Sequence, residues 1–168
     1  MTSTVTIKTP DPEESIRSST NPAVWKGEIN MPDVADFGVT AHQVSGTTDY
    51  LTFDLKETFK IVGRIQPKTV WDYIKQVTDV ANKEIILVSL LPASQEESKS
   101  YTTFFNYLHN RDRFGVVGNN SKMVKDCYII ALPKTGQIHE CLKPLDGPGL
   151  EDERKDVLLA LIVRYVLS

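Results

Sequence analysis

Two apolar runs constrain the chain more than anything else in it. Residues 84–91 read Glu-Ile-Ile-Leu-Val-Ser-Leu-Leu, and residues 157–163 read Val-Leu-Leu-Ala-Leu-Ile-Val. Neither run alternates, so each offers apolar side chains on both faces, as a strand covered from both sides does. The second run is far too short to span a bilayer. A chain with two such strands must enclose one face of its sheet and cover the other.

The remaining pattern supplies the means. Residues 24–31 alternate, with Trp25, Gly27, Ile29 and Met31 on one side, and Pro32 ends that strand. Extended segments follow over 37–44 and 60–65, with 50–59 between them as a short helix or irregular turn. Pro67 suits the first turn of a helix that runs to Val80, with Val70, Trp71, Ile74 and Val77 on one face. Gly63, just before it, reads as a point of backbone freedom. A second helix spans 95–110, where Tyr101, Phe104, Phe105 and Leu108 recur at i, i+3, i+4 and i+7. Ser94 is placed to cap it, with Glu96 and Glu97 in its first turn. Short strands at 114–117 and 126–132 and a last one at 157–166 complete six or seven. The order favours a curved or closed, mostly antiparallel sheet with helices packed outside. Residues 1–21 are rich in Ser, Thr, Pro and acids without period, and read as a flexible leader or linker before a domain over 22–168.

Composition narrows function by exclusion. The net charge of −3 and the pI of about 5.6 argue against a dedicated nucleic-acid module. Cys127 and Cys141 are too few and too far apart for a zinc site or a disulfide scaffold. Cys127, within a strand, reads as a structural thiol. His42, His109 and His139 have no metal-ligand spacing. No P-loop, G-x-G-x-x-G or G-x-S-x-G is present. The paired acids at 96–97 and 151–153 read as solvated charge. Nothing points to an enzyme, a cofactor, a metal or a membrane.

Positive charge at element ends remains. Arg64 precedes the first helix, Lys83 precedes the apolar strand, and Arg111 and Arg113 flank Asp112 where the aromatic helix hands over to a strand. In an extended segment, residues two apart share a side, which would make Arg111 and Arg113 a clamp for phosphate or carboxylate. Lys125 lies at the start of the next strand, and Tyr128 adds a hydroxyl if that edge is open. Two readings stand for these residues: solvated charges that keep the chain soluble, or an anion site.

Five segments carry a resemblance: 24–32 (Val-Trp-Lys-Gly-Glu-Ile-Asn-Met-Pro); Val62-Gly63-Arg64-Ile65 with Val70-Trp71-Asp72-Tyr73; 111–116 (Arg-Asp-Arg-Phe-Gly-Val); Val124-Lys125-Asp126-Cys127-Tyr128; and Gly147-Pro148-Gly149-Leu150. In this order and spacing the chain resembles the SPOC domain, in the branch of the PHD-finger and TFIIS-like transcription regulators. The resemblance implies an α+β, mostly β fold: a distorted seven-stranded β-barrel framed by helices. It also implies a nuclear, non-enzymatic module that binds phosphoserine peptides. In this branch the ligand is the C-terminal tail of RNA polymerase II, phosphorylated on the second serine of its heptad. Arg64, Lys83, Arg111 and Arg113 match the ligand-binding positions, and Lys125 and Tyr128 match further surface positions. On that basis Arg64 with Lys83 would take one phosphoserine, and Arg111 with Arg113 a second. Asp112 departs from the family pattern and would compete with phosphate if it folded onto either arginine. Phosphorylated or acidic corepressor peptides, or an RNA-methylation partner, are the alternative ligands. A structural assembly domain with solvated cations is the third reading.

Overall fold

The structure, a computed structural model, describes residues 21–166. Seven strands close into one barrel in the order β1-β2-β4-β7-β6-β5-β3. They are β1 (Ala23–Met31), β2 (Ala35–Ser45), β3 (Thr58–Ile65), β4 (Lys83–Pro92), β5 (Phe114–Gly118), β6 (Val124–Leu132) and β7 (Val157–Tyr165). Every neighbouring pair is antiparallel except β1 and β3, which run parallel over three residue pairs from Glu28↔Thr58 to Asn30↔Lys60. Closure gives each strand two neighbours and removes the open edges that invite aggregation.

The helices are a single turn α1 (Leu51–Asp54), α2 (Pro67–Val77) and α3 (Ser98–Arg111). Alternation along β4 and β7 explains their unbroken apolar sequence. Ile86, Val88, Leu90, Leu158, Ala160 and Ile162 join an inner core that draws on all seven strands. Tyr101, Phe104, Phe105 and Leu108 of α3 fill that core. Leu87, Leu159, Leu161 and Val163 point the other way, into an outer core shared with Val70, Ile74 and Val77 of α2. The two apolar faces of one strand thus serve two separate clusters, each fully buried Leu or Ile contributing about 1.5–3 kcal/mol.

Two polar devices tie the layers. The Tyr101 hydroxyl donates to Leu90 O at 2.5 Å and accepts from Leu158 N–H at 2.8 Å, pinning α3 to β4 and β7. Burial pushes that phenol well above its ordinary range. Near the end of β7, Arg164 donates to Asp54 of α1 at 2.5 Å and to Glu84 of β4 at 3.2 Å, beneath the Tyr50 ring. Cys127 is the buried, structural thiol expected, its pKa pushed far up by burial.

Several local expectations change. The first helix stops at Val77, not Val80, and Val80 is exposed. Residues 50–59 divide into α1 and the beginning of β3. Ser94 makes no side-chain cap; a 3₁₀ turn over Gln95–Glu97 precedes α3 instead. Glu97 is not solvated charge, because its carboxylate accepts the Gly38 N–H at 2.6 Å. Of the expected leader, residues 1–20 lie outside the described residues, whereas Asn21 donates to Gln43 O and Gly149 O.

Candidate anion-binding site

A cleft of about 490 Å³ opens where β3, β5 and the end of α3 meet, lined by Gly63, Arg64, Arg111 and Arg113. Each residue reaches it for a local reason. The β3–β5 register slips between Ile61↔Val117 and Gly63↔Val116, so Val62 bulges out and is 66% exposed. Arg64, two residues on, pairs with Gly115 and is exposed. A Cβ on Gly63 would meet nothing within 4 Å. Gly63 does not take the left-handed backbone that glycine permits; its part here is to leave the floor of the cleft empty.

The two other arginines arrive by a helix end, and this corrects the extended-clamp reading. Arg111 is the last residue of α3, and Asp112 is its C-cap in the left-handed region (φ 51°, ψ 55°). The Asp112 N–H reaches His109 O, and the Arg113 N–H reaches Leu108 O at 3.2 Å. This αL cap, a conformation that Asp tolerates better than most residues, reverses the chain into β5. Arg111 and Arg113 therefore share the cleft through chain reversal, not strand parity. Arg113 Nη1 donates to Asp112 O at 2.9 Å and Arg111 O at 3.3 Å. Arg111 lies 3.8 Å from the Tyr107 ring centre and donates to Tyr107 O at 3.2 Å, and Arg64 lies 5.6 Å from the same ring.

Charge balance is the main electrostatic feature. Among the described residues, no carboxylate lies within ion-pair distance of Arg64, Arg111 or Arg113. Asp112 caps with its backbone, and its side chain does not pair with either arginine. The competition that its sequence position suggested is absent.

Lys83 and Lys125 lie away from that cleft, on the two strands that flank β7. Lys83 opens β4 opposite Tyr165 of β7, and its Nζ lies 5.7 Å from that ring centre. On the other flank of β7, Arg164 pairs with Val124 of β6, next to Lys125. Lys125 Nζ lies 5.5 Å from the Tyr73 ring of α2 and 3.4 Å from Asp126 Oδ2. The same Oδ2 accepts the Tyr73 hydroxyl at 2.5 Å. Burial first, then that hydrogen bond, push the Tyr73 phenol well up. The expected pairing of Arg64 with Lys83 is thus corrected: Arg64 sits with Arg111 and Arg113, whereas Lys83 opens β4, beside β7. The reason is barrel order, since β5, β6 and β7 intervene between β3 and β4 on that side.

Tyr128 is only 7% exposed, edge-on to Tyr73 with 6.5 Å between ring centres. Burial and the neighbouring Asp126 push its pKa up to about 12. Its place is in the outer core. Tyr107 and Tyr73 were not anticipated as site residues. Tyr107 left a readable signal, four residues before Arg111 on one helix face. Tyr73 and Asp126, 53 residues apart, left none. No group of three or more His, Cys, Asp or Glu among the described residues could hold a metal.

Comparison with known proteins places this architecture. Human "PHD finger protein 3" is 48% identical over 145 residues, covering 86% of this chain and 7% of that protein. "Transcription factor bye1" of Schizosaccharomyces pombe is 31% identical over 144 residues, 84% of this chain and 20% of that one. The chain therefore spans a small part of the length of these relatives. The crystal structure of the SPOC domain of human PHD-finger protein 3 superposes with a TM-score of 0.85 at 47% identity, covering 88% of this chain and 99% of that one. The SPOC domain family matches residues 15–165, and the chain belongs to that family.

Proposed function

We propose that the chain is a phosphoserine-peptide binding module that reads the C-terminal tail of RNA polymerase II, phosphorylated on the second serine of its heptad. The carrying observation is the cleft of three guanidiniums with no carboxylate partner among the described residues. Unpaired arginines on a chain of net charge −3 are suited to an outside anion. A phosphoserine brings about −1.5 to −2 charges and three acceptor oxygens. Arginine forks match those oxygens bidentately. Lys83 takes a second phosphate on the same flexible tail, and the two weak contacts reinforce each other through effective concentration. The matched relatives named as transcription factors support a nuclear role in transcription regulation.

Acidic or phosphorylated corepressor peptides are the second reading, favoured by the fact that the arginine cleft holds no group that rejects a carboxylate. Titration of the chain with doubly, singly and non-phosphorylated two-repeat peptides separates the readings. Affinity should rise with each phosphate, and a glutamate-rich competitor should displace the doubly phosphorylated peptide only weakly. Equal affinity for all three peptides would overturn the phosphate reading and favour solvated cations in an assembly domain.

A further inference from the structure

We infer that a second cleft, beside Lys83, is an anchor pocket for one uncharged apolar side chain of the same peptide ligand. The inference deepens the peptide-binding reading above and rests on it. The cleft measures about 280 Å³ and lies between the end of β2, the end of α2, β4 and the loop over 141–146. Ile85 and Leu87 of β4, Leu142 and Leu145 of the loop, and the exposed Thr47 and Thr78 line it. Its walls are set before any ligand arrives. The His139 ring stacks on Trp71 of α2 with 4.3 Å between ring centres, and His139 Nδ1 accepts the Cys141 N–H at 3.0 Å. At the other end of the loop, Asp146 O accepts the Gly46 N–H at 2.8 Å, and the Asp146 N–H donates to Ser45 Oγ at 2.9 Å. Gly147 sits so close to β2 that a Cβ there would meet Val44 O at 2.7 Å. The loop is pinned to α2 and to β2, and between the pins Ile85, Leu142 and Leu145 are only partly buried.

Strand parity fixes what stands beside this cleft. Lys83, Ile85 and Leu87 pair with Tyr165, Val163 and Leu161 of β7, and Leu87, Leu161 and Val163 belong to the outer core. Glu84 alternates with them and reaches Arg164 instead. Lys83 therefore shares a face with the cleft lining, two residues or about 6.6 Å along the strand from Ile85. An extended peptide with a phosphoserine at Lys83 carries its flanking side chains over the same span. The volume falls below the range of about 300–1,000 Å³ usual for small-molecule sites, and suits one large side chain. Lys143 and Asp146 at the margin offset one another, and an aliphatic lining disfavours burial of an ion. The anchored side chain is therefore uncharged. A ligand held this way is read as a charge and an apolar group at fixed spacing, which charge alone does not specify.

The test uses the intact chain and a doubly phosphorylated two-repeat peptide. Alanine replaces, one at a time, each uncharged residue within three positions of either phosphoserine. For wild type, one replacement should cost about five- to tenfold in affinity, the order expected for burial of a large apolar side chain. Thr47→Trp and Thr78→Trp put an indole at the margin of the cleft from exposed positions. In both variants that replacement should cost less than about twofold, because the pocket is already filled. A benzophenone side chain at the same peptide position should photolabel the 141–146 loop of wild type. A flat alanine scan would overturn the pocket. So would a loss that persists undiminished in both folded tryptophan variants, or labelling confined to other segments. In each of those cases the phosphopeptide still binds. If the doubly phosphorylated parent peptide does not bind wild type, the peptide-binding reading falls and the pocket with it.

Discussion

The chain handles its surface cations in two contrasting ways. Arg64, Arg111 and Arg113 stand around an empty glycine floor, supported by a tyrosine ring and by backbone carbonyls, with no carboxylate in reach among the described residues. Lys83 and Lys125 stand over tyrosine rings too, but Lys125 is already neutralised by Asp126. A third cation, Arg164, marks the opposite limit: it is 9% exposed and satisfied by two carboxylates. Comparison of the three teaches that residue type says little about the task of a cation. The number of acids within reach says more. Two partners make a structural strut, one makes a conditional site, and none leaves charge available for a ligand.

Substitutions should rank by that count. The largest effect on the fold belongs to Arg164→Met, which strands Asp54 and Glu84. Removing one partner of a buried pair costs about 3–5 kcal/mol, and the partial exposure of Glu84 favours the lower end. Thermal unfolding by circular dichroism should show a melting temperature lower by several degrees, whereas an unchanged one would remove the strut from the comparison. Arg64→Ala with Arg113→Ala should do the reverse. Folding stability should hold, and phosphopeptide affinity should fall more than about tenfold, since charged hydrogen bonds contribute about 1.5–3 kcal/mol each. Calorimetric titration would read both quantities on one sample.

Lys83→Ala with Lys125→Ala should weaken the doubly phosphorylated peptide by about two- to fivefold and leave the singly phosphorylated one nearly unchanged. A larger loss than at the arginine cleft would invert the comparison. Smallest is Tyr107→Leu, which removes the ring beneath Arg111 and beside Arg64. Exposed cation–π contacts contribute about 0.5–1 kcal/mol, so a loss of about two- to fivefold at most is expected. Raising the salt concentration during these titrations should weaken wild type more than the arginine double variant, because fewer exposed charges remain to be screened.

Much of this fold is legible before any coordinates. The unbroken apolar runs of β4 and β7 require cover on both faces, and the barrel interior and α2 supply it. The aromatic repeat at Tyr101, Phe104, Phe105 and Leu108 reads correctly as core, because helical periodicity is a local property. Local signals also name the cations, since Arg64 falls just before the helix that Pro67 begins and Arg111 falls where the aromatic repeat of α3 ends. The αL geometry at Asp112 is where local reading fails: an aspartate has no obligate conformation, and an extended guess assigns the right neighbours for the wrong reason.

What the sequence determines by itself, then, is the set of elements and the list of charged candidates, because both follow from spacing along the chain. Tertiary structure alone decides their company. Barrel order brings Arg64 beside Arg113 at the start of β5 and leaves Lys83 on β4, beside β7. It also delivers Tyr73 to Asp126 across 53 residues. Screening and hydrogen bonding act over a few ångströms. Which charges are free, shared or spent is therefore fixed only when the strands close.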